Sequence, residues 1–171
     1  VALILFLGVP TMSKQDVKVF FDNYVFGWMF TDIQREIDLA RSGKDAGNFL
    51  CALGLLCYTE FMGGILLGSF TIRPLKNRFD AFFNFMGSGY QNFNQNVNVY
   101  DVFRCGLAHE YFVKENCTIA MLKNDETLGI GKLPTGAYYF VVERYFEDFS
   151  AACRKFYTQK MVETNPELPW Q

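Results

Sequence analysis

Residues 45–68 read DAGNFLCALGLLCYTEFMGGILLG, and how this stretch is understood decides the fold. It is apolar on nearly every face. Between Asp45 and Arg73 the only ionisable acid or base, cysteine and tyrosine aside, is Glu60. A helix apolar all round is either a membrane span or the central helix of a bundle whose neighbours surround it. Phe49 to Phe70 is long enough to span, and Gly64-x-x-x-Gly68 fits a close helix–helix contact. Against insertion stands the carboxylate, which costs about 2.5–3.5 kcal/mol at mid-span. The flanking chain is also rich in charged amphipathic segments that need an apolar partner. We therefore read residues 45–68 as the buried central helix of a soluble bundle, with no membrane as partner.

Working outward, Lys14 to Arg41 is helical. Val17, Phe20, Phe21, Tyr24, Val25, Trp28 and Met29 recur at three- and four-residue steps and form one apolar stripe. Ser42-Gly43 ends it, with glycine in its usual place just past a helix. On the other side, Arg73-Pro74 breaks the chain, and Leu75 to Met86 reads as a shorter helix with Phe79, Phe82, Phe83 and Met86 inward. Gly87-Ser88-Gly89 closes it. The amide-rich run Gln91 to Asn98 reads as a loop and helix cap. A fourth helix is predicted from about Val97 to Phe112. Beyond it the period changes to that of strands, at Thr118–Leu122, Leu128–Lys132 and Tyr138–Val142. A last helix carries Tyr145, Phe149, Ala152, Cys153 and Phe156 on one side, before a tail at Asn165 to Pro169 that cannot continue it. The fold class is mainly α, a helical bundle with a small β element before the last helix.

Composition narrows the function classes. At 171 residues the chain favours one domain, 1–171, able to hold a core without disulfide or metal. Residues 1–12 are an extension: Val1 is not methionine and Met12 follows closely, so part of VALILFLGVP can precede a natural start. A buried strand or packing arm is the alternative for it. Half the residues are hydrophobic and 20% are charged, which excludes a mostly disordered chain. A net charge of −2 argues against a broad electrostatic nucleic-acid binder but leaves room for a small basic site. Five cysteines without a C-x-x-C pair, and one histidine, offer no tetrahedral zinc pattern. We expect no metal and no cofactor, and a reduced, cytoplasmic protein. Gly129-x-Gly131 lacks the rest of a dinucleotide fingerprint, and no serine nucleophile elbow is present.

The segment that bears chemistry is Tyr100-Asp101-Val102-Phe103-Arg104-Cys105-Gly106-Leu107-Ala108-His109-Glu110-Tyr111. It holds the single histidine, five residues after an arginine. On an ideal α-helix these two side chains differ by about 140° in direction and about 7.5 Å along the axis, so they do not share a face. Asp101 stands three residues before Arg104, where an ordinary intrahelical ion pair would form. Glu60, if buried, needs a partner. A tyrosine hydroxyl or a backbone group would serve. Arg73, Lys76 and Arg78 make a small basic cluster at the start of the third helix, either a guide for a phosphate backbone or a solvated turn.

Arg104-x4-His109, on a helix that follows a long apolar helix with an acid and a short aromatic helix, resembles the HEPN superfamily. Its hallmark is an arginine followed by four to six residues and a histidine on a bundle helix. The likeness covers roughly Lys14 to Tyr111 and Tyr145 to Met161. The β element lies outside the minimal bundle, and Cys105 stands where many active members carry Asn, Asp or His. The resemblance implies a homodimer in which two such helices meet in one cleft, with Gly106 letting the facing helix approach. It implies a metal-independent endoribonuclease acting on single-stranded RNA. Arg104 and His109 would be catalytic, Asp101, Glu60 and Cys105 supporting, and Arg73, Lys76 and Arg78 RNA-binding. Motif arginines of the superfamily look inward, so the resemblance also makes Arg104 a candidate partner for Glu60. The other reading is a noncatalytic HEPN-like helical module that dimerises or binds an unknown partner.

Overall fold

A computed structural model describes residues 13–111, 113, 114 and 116–163. The expectations for residues 1–12, for Phe112 and for the tail at Asn165 to Pro169 lie outside them. The chain opens with α1 (Lys14–Phe20), widens into a π-helical stretch (Phe21–Met29) and returns to α2 (Phe30–Arg41) without a break. Ser13 starts it through a capping box: its hydroxyl accepts the Asp16 N–H, while the Asp16 carboxylate accepts the Ser13 N–H. Gly43, at φ 76°, ends it. There follow α3 (Asn48–Leu66), α4 (Leu75–Phe85), α5 (Ser88–Asn96) and a second π-helix, Tyr100–Glu110, called the motif helix below. Strands β1 (Cys117–Ala120), β2 (Ile130–Lys132) and β3 (Tyr138–Val141) precede α6 (Val142–Val162). The architecture is mainly helical with a small sheet before the last helix.

Helix α3 is the centre. It packs against α2, α4, α6, β1 and the motif helix. Leu55, Leu56 and Met62 are fully buried, together with Phe21, Phe79, Phe82, Phe83, Phe103, Tyr145 and Phe149 from its surroundings. The phenylalanine excess is thus mostly core, locked by edge-to-face and offset ring contacts such as Phe83–Tyr90 and Phe82–Phe149. Among the described residues, α3 is the one helix long and apolar enough to cross a membrane, and 56% of its apolar window is buried within the chain.

Helices α3 and α4 approach each other closely. A Cβ added at Gly63 would lie 1.7 Å from the Arg78 carbonyl oxygen, and one at Gly64 would lie 2.6 Å from the Phe70 ring. Gly63 and Gly64 therefore make the contact that the sequence pattern assigned to Gly64 and Gly68. Gly68 instead takes a positive φ of 70° just past the helix.

The strands form one sheet in the order β1-β3-β2, with β1 parallel and β2 antiparallel to β3. The amide-rich run corrects the sequence reading in part: residues 91–96 belong to the helix α5 rather than a loop, while Asn98 lies beyond it and its side-chain oxygen accepts the Asp101 N–H at 3.4 Å, as a cap does. Tertiary anchors hold it. Tyr90 is buried and donates to Asp148 at 2.7 Å, and the Asn94 amide donates to Asp80 and Asn84, each at 3.1 Å.

Candidate functional site

Three elements converge on one carboxylate. Helix α3 supplies Glu60, α4 supplies Arg78 and the motif helix supplies Arg104. Arg78 Nη2 donates to Glu60 Oε1 at 2.7 Å, and its Nη1 donates to the Phe70 carbonyl at 2.9 Å. Arg104 Nε sits 3.0 Å from Glu60 Oε2. That second contact is a charge contact without an aimed hydrogen bond, for both atoms lack a hydrogen-bond partner. The three side chains are 8%, 12% and 18% exposed in the order Glu60, Arg78, Arg104. Two guanidinium groups on one carboxylate leave the cluster one positive charge in surplus.

Arg104 is held by its Nε alone. Its terminal nitrogens make no hydrogen bond among the described residues, and they are absent from the buried atoms without partners, so they reach solvent. The guanidinium lies 5.7 Å from the centre of the Tyr100 ring. The Tyr100 phenol is pushed up by burial and by the Glu60 charge, with Arg104 opposing. Burial likewise raises the Cys57 thiol on the neighbouring turn of α3, again against the pull of Arg104.

His109 is exposed, in the last turn of the motif helix. Within the chain, then, Arg104 turns inward to Glu60 while His109 faces water. The π-helical form matters here. Its i→i+5 ladder narrows the angle that separates residues five apart on an α-helix. Gly106 is buried within the chain. Tyr111 ends the helix in the left-handed region at φ 64°, and its ring stacks on Phe49.

The remaining sequence candidates separate. Asp101 does not pair with Arg104; its carboxylate takes Lys114 Nζ at 2.8 Å. Cys105 is half-buried beside Tyr100. Arg73 is exposed and folds onto the Phe70 and Ile72 carbonyls, at 3.2 Å each. Lys76 pairs with Asp80 one turn along α4. Arg78 leaves the basic cluster altogether and joins the buried site. Sequence reasoning missed that role, although the signal was present in Gly63-Gly64, one turn after Glu60. Two small residues beside a buried acid admit another backbone, and whatever basic residue it carries.

Of two surface cavities, neither is lined by Glu60, Arg78 or Arg104. One of about 770 Å³ lies between α2 and α6, floored by Phe30 and Phe146. The other, of about 710 Å³, opens beside the end of the motif helix and is lined by Phe49, Leu50, Tyr111, Met121 and Leu122. Among the described residues no group of three His, Cys, Asp or Glu side chains is gathered so that it could hold a metal ion. No protein-family model matches this chain, and no curated protein or solved structure matches it either.

Proposed function

We propose that this chain is a metal-independent, HEPN-like endoribonuclease that acts on single-stranded RNA in the cytoplasm as a homodimer. The observation that carries the reading is the state of Arg104: in charge contact with Glu60 through Nε, with its terminal nitrogens making no hydrogen bond among the described residues, on the helix that also presents His109. A guanidinium fixed at one edge and free at the other is suited to a phosphodiester, which it binds through its planar fork.

The chemistry follows from the two side chains. One neutral imidazole takes the proton from an RNA 2′-hydroxyl, and the 2′-oxygen attacks the adjacent phosphorus. The bond from phosphorus to the 5′-oxygen breaks, and an imidazolium returns a proton to that leaving oxygen. Arg104 neutralises charge on the transferring phosphate. The products are a 2′,3′-cyclic phosphate and a 5′-hydroxyl, and no redox partner is consumed. One protomer carries a single histidine, so His109 of the partner subunit supplies the second proton transfer.

The test is incubation of the purified protein with a single-stranded RNA in chelator, with end-group analysis. Cleavage to cyclic-phosphate ends is expected, with the all-deoxy strand intact. His109→Ala and Arg104→Ala should each be slower by roughly 10²-fold or more. An RNA untouched by the parent protein, or cut equally fast by His109→Ala, refutes the reading. A specific observation favours the noncatalytic module instead: Arg104 is largely covered and shares Glu60 with Arg78, as a purely structural ion cluster would. On that reading Arg104→Ala lowers stability, and the parent protein leaves RNA whole.

A further inference from the structure

We infer that Arg78 is a positioning residue that keeps the guanidinium fork of Arg104 free by holding Glu60 away from it. The inference rests on the reading of Arg104 as the phosphate-binding group. Its basis is a competition for one carboxylate.

Left alone with one arginine, a carboxylate takes it side-on or end-on through two parallel N–H···O bonds. Either arrangement would occupy at least one terminal nitrogen of Arg104. That is not the geometry found. Arg78 makes the aimed bond, 2.7 Å from Nη2 to Oε1, and so sets the plane of the carboxylate. Arg104 receives only the second oxygen, at 3.0 Å and off the line of its N–H.

Arg78 can dictate that plane because it is itself fixed at several points. Its Nη1 is bound to the Phe70 carbonyl, and its guanidinium lies 5.8 Å from the Phe70 ring centre. Its backbone is pressed against Gly63, where no side chain larger than hydrogen fits. Arg104 has no comparable second anchor, since its other contact is the Tyr100 ring. The better-braced arginine holds the carboxylate, and the other is steered by charge while its fork stays open.

A simple structural role and this one differ in what Arg78→Gln does to ligand binding by protein that is still folded. The experiment measures kcat and KM on single-stranded RNA, and binding of the uncleavable all-deoxy strand, for the parent and Arg78→Gln at a temperature where both are folded. Arg78→Gln should raise KM and weaken deoxy-strand binding roughly tenfold or more, the weight of a charge-assisted hydrogen bond. Its pH profile of kcat should keep its shape. A folded Arg78→Gln protein with the parent's KM overturns the inference.

Nitrogen NMR of the arginine side chains separates this result from the ribonuclease reading. Rotation about Cζ–Nη of Arg104 should slow in Arg78→Gln, as Glu60 closes on it, whether or not RNA is cut. A parent that cuts nothing sinks the ribonuclease proposal, while unchanged rotation sinks this one. Where Arg78→Gln does not fold, Arg78→Lys keeps the charge on a single nitrogen but loses the fork, and should raise KM in the same direction by less. An unmoved KM there counts against Arg78.

Discussion

Gly63→Ala tests the packing that brings the site together. The added methyl would lie 1.7 Å from the Arg78 carbonyl oxygen, where ordinary contact begins near 3.4 Å. Backbone, not a flexible side-chain end, stands in the way. Helices α3 and α4 must therefore move apart by about 1.7 Å at this point. Overpacking of this kind costs about 1–3 kcal/mol. The displacement also carries Arg78 away from Glu60, forfeiting a hydrogen bond between charged groups worth about 1.5–3 kcal/mol. Together we expect about 3–5 kcal/mol, a large part of the roughly 5–15 kcal/mol that holds a typical domain. In a thermal melt that is about 10 °C or more. Far-UV circular dichroism in a urea titration is the suitable assay, because Trp28 is 65% exposed and reports poorly on the core. Gly54→Ala, on the same helix, is the control. Its Cβ would meet only Ile33 Cδ1, at 3.7 Å, so alanine's better helix propensity should leave it neutral or up to about 1 kcal/mol more stable. If the two substitutions have equal effects, the close approach at Gly63 does not exist and the placement of Arg78 falls with it.

Other expectations follow from single groups. Burial pushes the Glu143 carboxyl up, but the Lys123 N–H and the Arg41 guanidinium outweigh it and hold it below the ordinary 4.5. A depressed folded value gives stability that is complete above the unfolded value and is lost as pH falls through the folded one. Glu143→Gln should thus be less stable than the parent at neutral pH and show a shallower decline below about pH 4.5 in urea midpoints; parallel acid limbs would refute this. Thr59 donates to the Leu55 carbonyl at 2.8 Å and shares a 2.9 Å bond with the fully buried Tyr145 hydroxyl. Thr59→Val strands that hydroxyl and should cost about 1–3 kcal/mol, whereas the double variant with Tyr145→Phe should cost less than the two singles summed. Strict additivity in urea melts would show that the bond is not made. Tyr90→Phe leaves Asp148 with Arg144 but removes the acceptor of the Gly129 N–H, 3.2 Å away, and should cost about 1–3 kcal/mol with faster amide exchange at Gly129; an unchanged exchange rate would remove that bond from the account.

How far the sequence carries depends on which interactions are local. The stop at Ser42-Gly43 and the inward face of the last helix follow from spacing and capping, and the structure has them. Of the stripe from Val17 to Met29 it buries Val17, Phe20, Phe21, Val25 and Met29 but leaves Tyr24 and Trp28 exposed, where the helix widens from α to π. The strands lie within a residue or two of their expected bounds because alternation and Pro134-Thr135-Gly136 are local signals as well. Their order is not: β1 and β3 pair in parallel across the hairpin that contains β2, and nothing in either segment names its neighbour. The helix α5 was illegible for the same reason. Asparagine and glutamine favour caps and turns on their own, but Tyr90 and Asn94 are held by Asp148, Asp80 and Asn84, which come from other elements. The π-helical form of the motif helix has no compositional mark either. It removes the i,i+3 geometry on which an Asp101–Arg104 pair depended, and Asp101 turns to Lys114 instead.

The ambiguity of residues 45–68 and the identity of the site turn out to be one question. An apolar helix alone cannot carry an ionised Glu60 without a large desolvation cost. In this fold the helix carries it because each of two elements packed on α3 brings an arginine, one admitted by Gly63 and one by the inward turn of the motif helix. The carboxylate that argued against a membrane is thus the group on which α4 and the motif helix meet. A buried pair removed on one side leaves a costly charge on the other. Loss of Glu60 would leave two guanidinium groups facing each other with no anion between them, and loss of one arginine would still leave a pair. Glu60→Gln should therefore destabilise the protein more than either Arg78→Gln or Arg104→Gln in urea melts at neutral pH. The reverse order would mean that the arginines are paired elsewhere and that no element is held through Glu60.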